Sequence, residues 1–259
     1  MSNLVFQDTS YVSSRNDLPV VQNISDVLVS TRYEKDAYAH WAFYGNEPLK
    51  DKVNSRSLTL QVGAAIPPSY SSQGVTLTNA KGSALISDLI DNATTNITAI
   101  FVAKADGTLL YLMGMTLPTT GSTAESGFGA YASSNKVYVN VKPSAAASTG
   151  GVDNLTTDQL IGQTTPFLVA VSVDKAKKTV LLYSFKNGVD AQVSKSFLGT
   201  YENVNKAVAV GNAYYNAVES GTRTTFTEAI LYNRALSLNE IKAIAKRCQA
   251  RLAARGITI

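Results

Sequence analysis

Short runs in which apolar and polar residues alternate, separated by turn-forming residues, make up most of the chain. The run 136–141 (KVYVNV) alternates strictly and places three valines on one face, which is typical of a half-buried strand. Apolar runs at 97–103 and 108–113 flank Asp106 and Gly107, a pair that favours a tight turn, so the pattern predicts a hairpin there. Many such strands at near-regular spacing predict an all-β, antiparallel two-sheet sandwich.

The same pattern predicts two more turns, two loops and several other strands. The run 167–173 turns through 174–178 into 179–185, and Asn187 and Gly188 then predict another turn. Small and polar residues predict loops at 116–126 and 143–166, with 153–162 a candidate for a short helical turn. Further strands are predicted at 41–44, 57–62, 74–78, 207–210 and 226–232.

The C-terminal end has a helical pattern instead. Ser237 and Glu240 have the spacing of a capping box, in which each side chain bonds the other residue's backbone N–H. Apolar residues then recur at helical spacing and Gly256 favours an end, so an amphipathic helix over 238–255 is predicted to pack on the sandwich. The basic side chains off its apolar stripe are expected to face outward as a docking or solvated surface: Lys242, Lys246, Arg247 and Arg251.

The chain divides into an undecided N-terminal part and one sandwich. Residues 1–36 contain strand-like pieces cut by Asn, Asp, Ser and Pro. They fit either outer strands of the same domain or an arm that reaches a neighbouring subunit. Residues 37–259 fit a single sandwich that includes the terminal helix, because short strands with the same character lie on both sides of each predicted loop.

Charge is concentrated at the C-terminal end. The 259 residues contain 23 Lys and Arg against 19 Asp and Glu, a formal net charge of +4. Between residues 233 and 259, six basic residues stand against Glu240 alone, so the rest of the chain is close to neutral. A general nucleic-acid binder would have a basic field over its whole body, so nucleic acid is not an expected partner.

The small numbers of His and Cys exclude several kinds of functional site. One His and one Cys cannot form a His/Cys metal cluster or an intrachain disulfide, and a serine or cysteine hydrolase would have to use His40 as its base. His40 and Cys248 are therefore expected to be structural. The N-terminus has no basic segment followed by an apolar stretch, and no apolar run is long enough to cross a membrane, so we expect cytoplasmic synthesis without a secretion signal and no membrane partner.

The order of features from about residue 40 to the end is characteristic. It begins with the run 41–43 (WAF) and includes the turn at Asn187 and Gly188. Its most specific part is a last strand, 226–232, that passes through 234–237 (RALS) into a helix. These residues resemble a concanavalin A-like, laminin-G-type jelly roll, as found in many phage and bacterial proteins. The resemblance implies the fold and says little about function, since lectins, glycanases, adhesion modules and structural virion parts share it.

A catalytic carboxylate motif is incomplete in this chain. Glycanases of the resembled superfamily often carry Glu-x-Asp-x-x-Glu on one strand, with alternate carboxylates on one face. The closest run contains Glu34 and Asp36 and lacks the third carboxylate. We therefore predict no catalytic residues, and we interpret this run as a solvated charge cluster.

Two clusters of Asp and Asn have the oxygen ligands of Ca²⁺, which lectins of this fold often bind. The clusters are Asp88, Asp91 and Asn92, and Asp153, Asn154 and Asp158. Neither follows the spacing of a Ca²⁺ loop, so caps and turns are the expected role. No metal site and no cofactor is predicted.

The candidate ligand-binding residues are Tyr214, Tyr215 and Asn216, which lie in a predicted loop between strands. Sugar sites stack rings on aromatic side chains and hold hydroxyl groups through amides. The alternative is a loop that packs its own tyrosines or contacts another subunit.

These observations favour a non-enzymatic structural or adhesion component of a phage-like virion, such as a tail, baseplate or capsid-decoration protein. Its partners would be other virion proteins or copies of itself, and its location the virion. The alternative is a carbohydrate-binding protein that recognises a cell-surface glycan, and a glycanase is the third reading.

Overall fold

The computed structural model describes residues 33–61, 66–80, 82–114, 117–118, 125–144, 150–202, 205–214 and 221–259. These residues form the all-β sandwich that the alternation predicted, with two sheets and a C-terminal α-helix. Among them, no helix is long and apolar enough to span a bilayer. In chain order the elements are β1 (Ala39–Ala42), β2 (Thr59–Leu60), β3 (Ser69–Ser71), β4 (Gly74–Thr78), β5 (Ser83–Asp91), β6 (Ile97–Ala105), β7 (Leu109–Gly114), β8 (Leu117–Pro118), β9 (Glu125–Ser133), β10 (Lys136–Lys142), β11 (Val152–Thr156), β12 (Phe167–Asp174), β13 (Thr179–Lys186), β14 (Val189–Ser196), β15 (Lys206–Asn212), β16 (Arg223–Tyr232) and α1 (Leu238–Ala253).

Sheet one has the strand order β14-β13-β12-β6-β16-β4-β3. One edge of β16 is shared by two strands, because β4 pairs with residues 223–226 and β1 pairs with residues 228–231. The central strands β6 and β12 are buried on both faces, which explains why their sequences are nearly continuous apolar runs.

Sheet two has the strand order β11-β10-β9-β7-β15-β5-β2, with β8 beside β9. The pairing of β15 with β7 is parallel, whereas the other pairs of this sheet are antiparallel. Strand β10 has the strict alternation that its sequence predicts, with Val137, Val139 and Val141 fully buried and the intervening side chains half-buried. Strand β10 therefore buries one face only.

The main core lies between the two sheets. Its fully buried aromatic side chains include Trp41 of β1, Phe101 of β6, Phe128 of β9 and Phe226 of β16. Alternating side chains of the central strands reach this layer, as close packing of two sheet faces requires.

The helix α1 covers the second face of sheet one. Its first turn has the predicted capping box, in which the Ser237 hydroxyl accepts from the Glu240 N–H and the Glu240 carboxylate accepts from the Ser237 N–H. Gly256 follows its end with a φ of 73°. Its apolar stripe packs on Ile100, Leu168, Tyr183 and Ile230 through Ile241, Ile244, Ala245, Cys248 and Leu252. The expected packing of the Cys248 thiol is thus confirmed.

Two of the three predicted turns close hairpins as expected. Strand β13 pairs with β12 before it and with β14 after it. Between β13 and β14, Asn187 and Gly188 have φ values of 51° and 78°, the left-handed conformation of a two-residue hairpin turn.

The predicted hairpin at Asp106 and Gly107 is wrong, because this turn carries the chain from sheet one to sheet two. Strand β6 has both edges occupied, by β12 and by β16, so β7 has no free edge to join. The Arg223 N–H donates to Asp106 Oδ1 at 2.7 Å, and the Asp106 N–H donates to the Arg223 carbonyl at 3.1 Å. These two hydrogen bonds hold the turn between β6 and β7, at the corner where the chain passes from sheet one to sheet two.

The predicted loops are partly strand. Within 143–166, the segment β11 pairs with β10, so the helical turn suggested for 153–162 is wrong. Within 116–126, β8 pairs with β9 and most other residues lie outside the described part of the chain. Residues 1–32 of the undecided N-terminal part also lie outside it.

A buried ion cluster fixes α1 to sheet one. Arg251 donates to Glu228 of β16 through Nε (3.2 Å) and Nη2 (2.9 Å), and its Nη1 lies 3.3 Å from Glu34 Oε1. Arg247 donates to the same Glu34 carboxylate at 3.0 Å, and His40 Nε2 lies 3.5 Å from Glu228 Oε2. Because Glu34, Glu228 and Arg251 are only 4, 1 and 5% exposed, each charge depends on its partners instead of water.

The cluster corrects the prediction that the basic side chains of the helix all face outward. Arg251 points inward, because the carboxylate of Glu228 in a buried strand needs a cation there. Arg247 is half-buried against Glu34. Lys242 pairs with Asp190 at 2.7 Å and Lys246 is exposed, so these two keep the predicted orientation. Part of the C-terminal charge therefore serves internal packing.

Replacing Glu228 with alanine should destabilise the protein strongly, because the Arg251 guanidinium would lose its main partner while staying buried. We expect the free energy of unfolding to fall by about 3 kcal/mol or more, measured by urea denaturation. The control is Lys242→Ala, which breaks a partly exposed ion pair and should cost under about 1 kcal/mol. Similar losses for the two variants would contradict a structural role for the buried cluster.

The same carboxylate predicts how stability depends on pH. Burial alone would raise the pKa of Glu228, but the nearby His40 and the hydrogen bonds from Arg251 outweigh it and lower the pKa from 4.5 to about 2. A group with a lowered pKa stabilises the fold above its unfolded pKa, and this stabilisation is lost as the pH falls through the folded value. The difference in unfolding free energy between wild type and Glu228→Gln should therefore be constant above pH 4.5 and shrink towards pH 2. A difference that widens on acidification would be inconsistent with this pairing.

Candidate functional site

The outer face of sheet two carries three tyrosines side by side, which we call the tyrosine row: Tyr111 in β7, Tyr131 in β9 and Tyr138 in β10. The strand register places Tyr131 directly opposite Tyr111 on one side and Tyr138 on the other. All three are half-buried, while their chain neighbours on both sides point into the core. The row therefore lies on the face turned away from sheet one.

The rings contact one another across the strands. The Tyr111 and Tyr131 ring centroids are 5.7 Å apart with a tilt of 41°, and those of Tyr131 and Tyr138 are 5.1 Å apart with a tilt of 18°. Tyr138 is thus stacked on Tyr131, and on its other side its register partner is Thr156 of β11. Such cross-strand aromatic contacts also hold the ring positions in place.

Two asparagines complete the polar side of the row. The Tyr131 hydroxyl donates to Asn154 Oδ1 at 2.7 Å, and the Asn154 N–H donates to Asn140 Oδ1 at 2.7 Å. Asn154 takes up a left-handed φ of 51°, which turns β11 at this point. The register partner of Asn140 in β9 is Gly129, which is buried. Aromatic rings, hydroxyls and amides thus share one surface.

This arrangement has the chemistry of a saccharide contact surface. A sugar ring has an apolar C–H face that packs on an aromatic ring and hydroxyl groups that exchange hydrogen bonds with amides and phenols. Held by a rigid sheet, these groups are positioned before any ligand arrives.

Of the sequence-predicted ligand residues, only Tyr214 lies in the described part of the chain, and it packs against the main core. The Tyr214 N–H donates to the Gly114 carbonyl of β7, and its hydroxyl donates to the Ala207 carbonyl of β15 at 3.4 Å. The Lys206 ammonium lies 5.6 Å from the centre of its half-buried ring. Tyr215 and Asn216 fall outside the described residues.

The sequence does not predict the tyrosine row. Alternation within 136–141 does place Tyr138 opposite the valine face, and the same holds for Tyr111 in its strand. The position of these two rings on either side of Tyr131 depends on strand order and register. In addition, the sequence predicts no strand at Tyr131.

The first candidate Ca²⁺ cluster is occupied by basic side chains. Asp91 forms a buried ion pair with Lys175 and accepts a hydrogen bond from the Tyr201 hydroxyl at 2.8 Å, while Asp88 pairs with Arg56. Burial raises the pKa of Asp91 and lowers that of Lys175, so each depends on the other to stay charged. Asn92 caps the following turn by accepting from the N–H groups of Thr94 and Thr95.

The second cluster has other roles too. Asp153 pairs with Lys142 at 2.5 Å, and Asn154 belongs to the tyrosine row's polar side. Asp158 is exposed. Within the described ranges, no three His, Cys, Asp or Glu side chains are grouped so that they could hold a metal ion.

The carboxylates suggested by the glycanase motif do not form an acid–base pair. Glu34 is buried against Arg247 and Arg251, so the interpretation as a solvated cluster is wrong for this residue. Asp36 is exposed and pairs with Arg234 at 2.9 Å. His40 is fully buried, and its Nδ1 accepts the Glu34 N–H at 3.0 Å, which fits the expected structural role.

Comparisons with known proteins show the fold alone. No protein-family model and no curated protein sequence matches the chain. It is similar in structure to the binding domain of Paraclostridial Mosquitocidal Protein 1 (TM-score 0.54, 15% identity, 80% of this chain and 51% of that chain). It is also similar to the botulinum neurotoxin serotype G binding domain (0.56, 14%, 82% and 51%) and to the serotype D ligand binding domain in complex with N-acetylneuraminic acid (0.56, 13%, 83% and 51%). The chain thus spans about half the length of these structures.

Adding millimolar Ca²⁺ should leave the Tm unchanged, because the Lys175 ammonium already neutralises Asp91. As a control, Lys175→Met leaves a buried carboxylate without its cation and should lower the free energy of unfolding by about 3 kcal/mol. Differential scanning calorimetry with Ca²⁺ and with a chelator measures both effects. A clear rise in the wild-type Tm on adding Ca²⁺ would show that the cluster binds the metal after all.

Proposed function

We propose that this chain is a carbohydrate-binding domain and that the tyrosine row is its contact surface. The observation that carries the proposal is the alignment of Tyr111, Tyr131 and Tyr138 on the solvent side of sheet two, with Asn140 and Asn154 beside them. Neighbouring strands are spaced about 4.8 Å apart, so the row extends across the sheet and suits an oligosaccharide laid across the strands.

Each part of the surface has a role in this proposal. The solvent-exposed part of the Tyr138 ring packs against the C–H face of one sugar unit, while the Tyr111 and Tyr131 hydroxyls bond to neighbouring units. The amides of Asn140 and Asn154 accept and donate to sugar hydroxyls and so fix the ligand's orientation. Because the sheet is rigid, little conformational entropy is lost when the glycan binds.

The shared fold supports the proposal by analogy. One similar structure is a ligand binding domain in complex with N-acetylneuraminic acid. A fold hosts many functions, so the argument stays with the residues of the surface. The concanavalin A-like, laminin-G-type resemblance belongs to the same proposal, because that family includes lectins built on such a sandwich.

We also propose that the domain is not an enzyme, because Glu34, the strongest acid candidate from the sequence, is committed to two buried ion pairs. The virion component favoured by the sequence stays a prediction, as do its virion partners and location. Glycan binding is preferred because the tyrosine row is a specific observation in its favour.

Replacing Tyr138 with alanine should weaken glycan binding at least about tenfold, equivalent to about 1.4 kcal/mol, because it removes the ring face on which the sugar packs. A glycan array identifies the ligand, and isothermal titration with that ligand gives the change in Kd. The matched control is Tyr70→Ala, which removes an exposed tyrosine from β3 in sheet one and should leave Kd unchanged.

A second variant separates binding from stability. Tyr138→Phe keeps the ring and its stacking on Tyr131, so it should retain most of the affinity that Tyr138→Ala loses. Wild-type Kd in a folded Tyr138→Ala variant, or a blank array with folded wild-type protein, would overturn the proposed function.

A further inference from the structure

The helix α1 leaves one end of the outer face of sheet one uncovered, and a pocket of about 540 Å³ lies there. Its position is fixed by β4, β6 and β16 and by the corner between β6 and β7. We call it the basic pocket, and it is lined by Thr76, Lys104, Ala105, Asp106, Thr164, Arg223 and Thr225.

The strand register explains why these side chains meet. Thr225 of β16 stands opposite Lys104 of β6 on one side and opposite Thr76 of β4 on the other, so the three form one row. Arg223 lies two residues before Thr225 on the same strand and therefore on the same face. The hydroxyl oxygens of Thr76 and Thr225 are 2.8 Å apart.

The two cations of the pocket are not neutralised by acids. Lys104 Nζ donates to the amide oxygen of Gln73 at 2.6 Å. Among the arginines that the structure describes, Arg223 alone has a guanidinium with no hydrogen-bond, ion-pair or aromatic partner, whereas Arg56, Arg234, Arg247, Arg251 and Arg255 each have one. The one acid of the pocket, Asp106, accepts the Arg223 backbone N–H at 2.7 Å. An ammonium and a planar guanidinium thus line the pocket together with one carboxylate.

We propose that the basic pocket is a second binding site, which takes the carboxylate of an acidic saccharide. A guanidinium binds a carboxylate through two parallel hydrogen bonds, and an adjacent ammonium adds charge. The hydroxyls of Thr76, Thr164 and Thr225, together with the second oxygen of Asp106, bond to the sugar hydroxyls. The proposal rests on the proposed function in taking a saccharide as the ligand, but it uses a different sheet and different residues.

The test uses matched small probes and the full, isotope-labelled chain. Glucuronate and glucose differ only at the carboxylate, and glucose 6-sulfate presents a tetrahedral anion in its place. We expect glucuronate to shift the backbone amide signals of Thr76, Lys104 and Arg223, and glucose to leave them unchanged. A stronger response to the sulfate than to glucuronate would overturn the assignment to a carboxylate.

Arg223→Gln should weaken glucuronate binding at the pocket at least about tenfold, because it removes a charge-assisted bidentate contact. The control Lys246→Gln removes one positive charge from the exposed face of α1 and should have no effect. Tyr138→Ala should also leave glucuronate binding at the pocket unchanged. Glucuronate shifts that persist in a folded Arg223→Gln variant, or that lie away from these residues, would overturn this inference while leaving glycan binding at the tyrosine row to its own test.

Discussion

The position of Glu228 constrains the rest of this structure. A carboxylate in the middle of a buried strand is stable only if cations and hydrogen-bond donors reach it, and α1 supplies Arg251 for this purpose. Arg251 in turn holds Glu34, which brings the segment before β1 into the same cluster. The ion cluster therefore fixes where α1 lies across sheet one, and the apolar stripe of the helix packs around it.

The placement of α1 determines which surfaces are open to ligands. Sheet one is covered by sheet two on one face and by α1 on part of the other, and the end that carries Lys104 and Arg223 is open. Sheet two has no such cover over the tyrosine row within the described residues. The two open surfaces differ in chemistry, since one presents aromatic rings and amides and the other presents two unneutralised cations. Our proposals assign the sugar rings to the first and the acidic groups to the second.

The sequence predicted local structure well and long-range relations poorly. The valine alternation in β10, the turn at Asn187 and the capping box at Ser237 depend on neighbouring residues, and all are present. The prediction of a hairpin at Asp106 is wrong because both edges of β6 pair with strands that are distant in sequence. The prediction that Arg251 faces outward is also wrong because of a long-range contact, since its partner Glu228 is 23 residues away in the sequence. The tyrosine row likewise depends on a register that no local pattern contains.

The most direct test of the central claim, that the tyrosine row binds glycan, is to map where a glycan contacts the protein. A neutral oligosaccharide selected on an array is titrated into the isotope-labelled chain, and backbone amide shifts are followed by NMR. The account predicts that the largest shifts cluster at Tyr131, Tyr138, Asn140 and Asn154. Saturable shifts centred on the basic pocket or on the exposed face of α1, with the row unchanged, would contradict it.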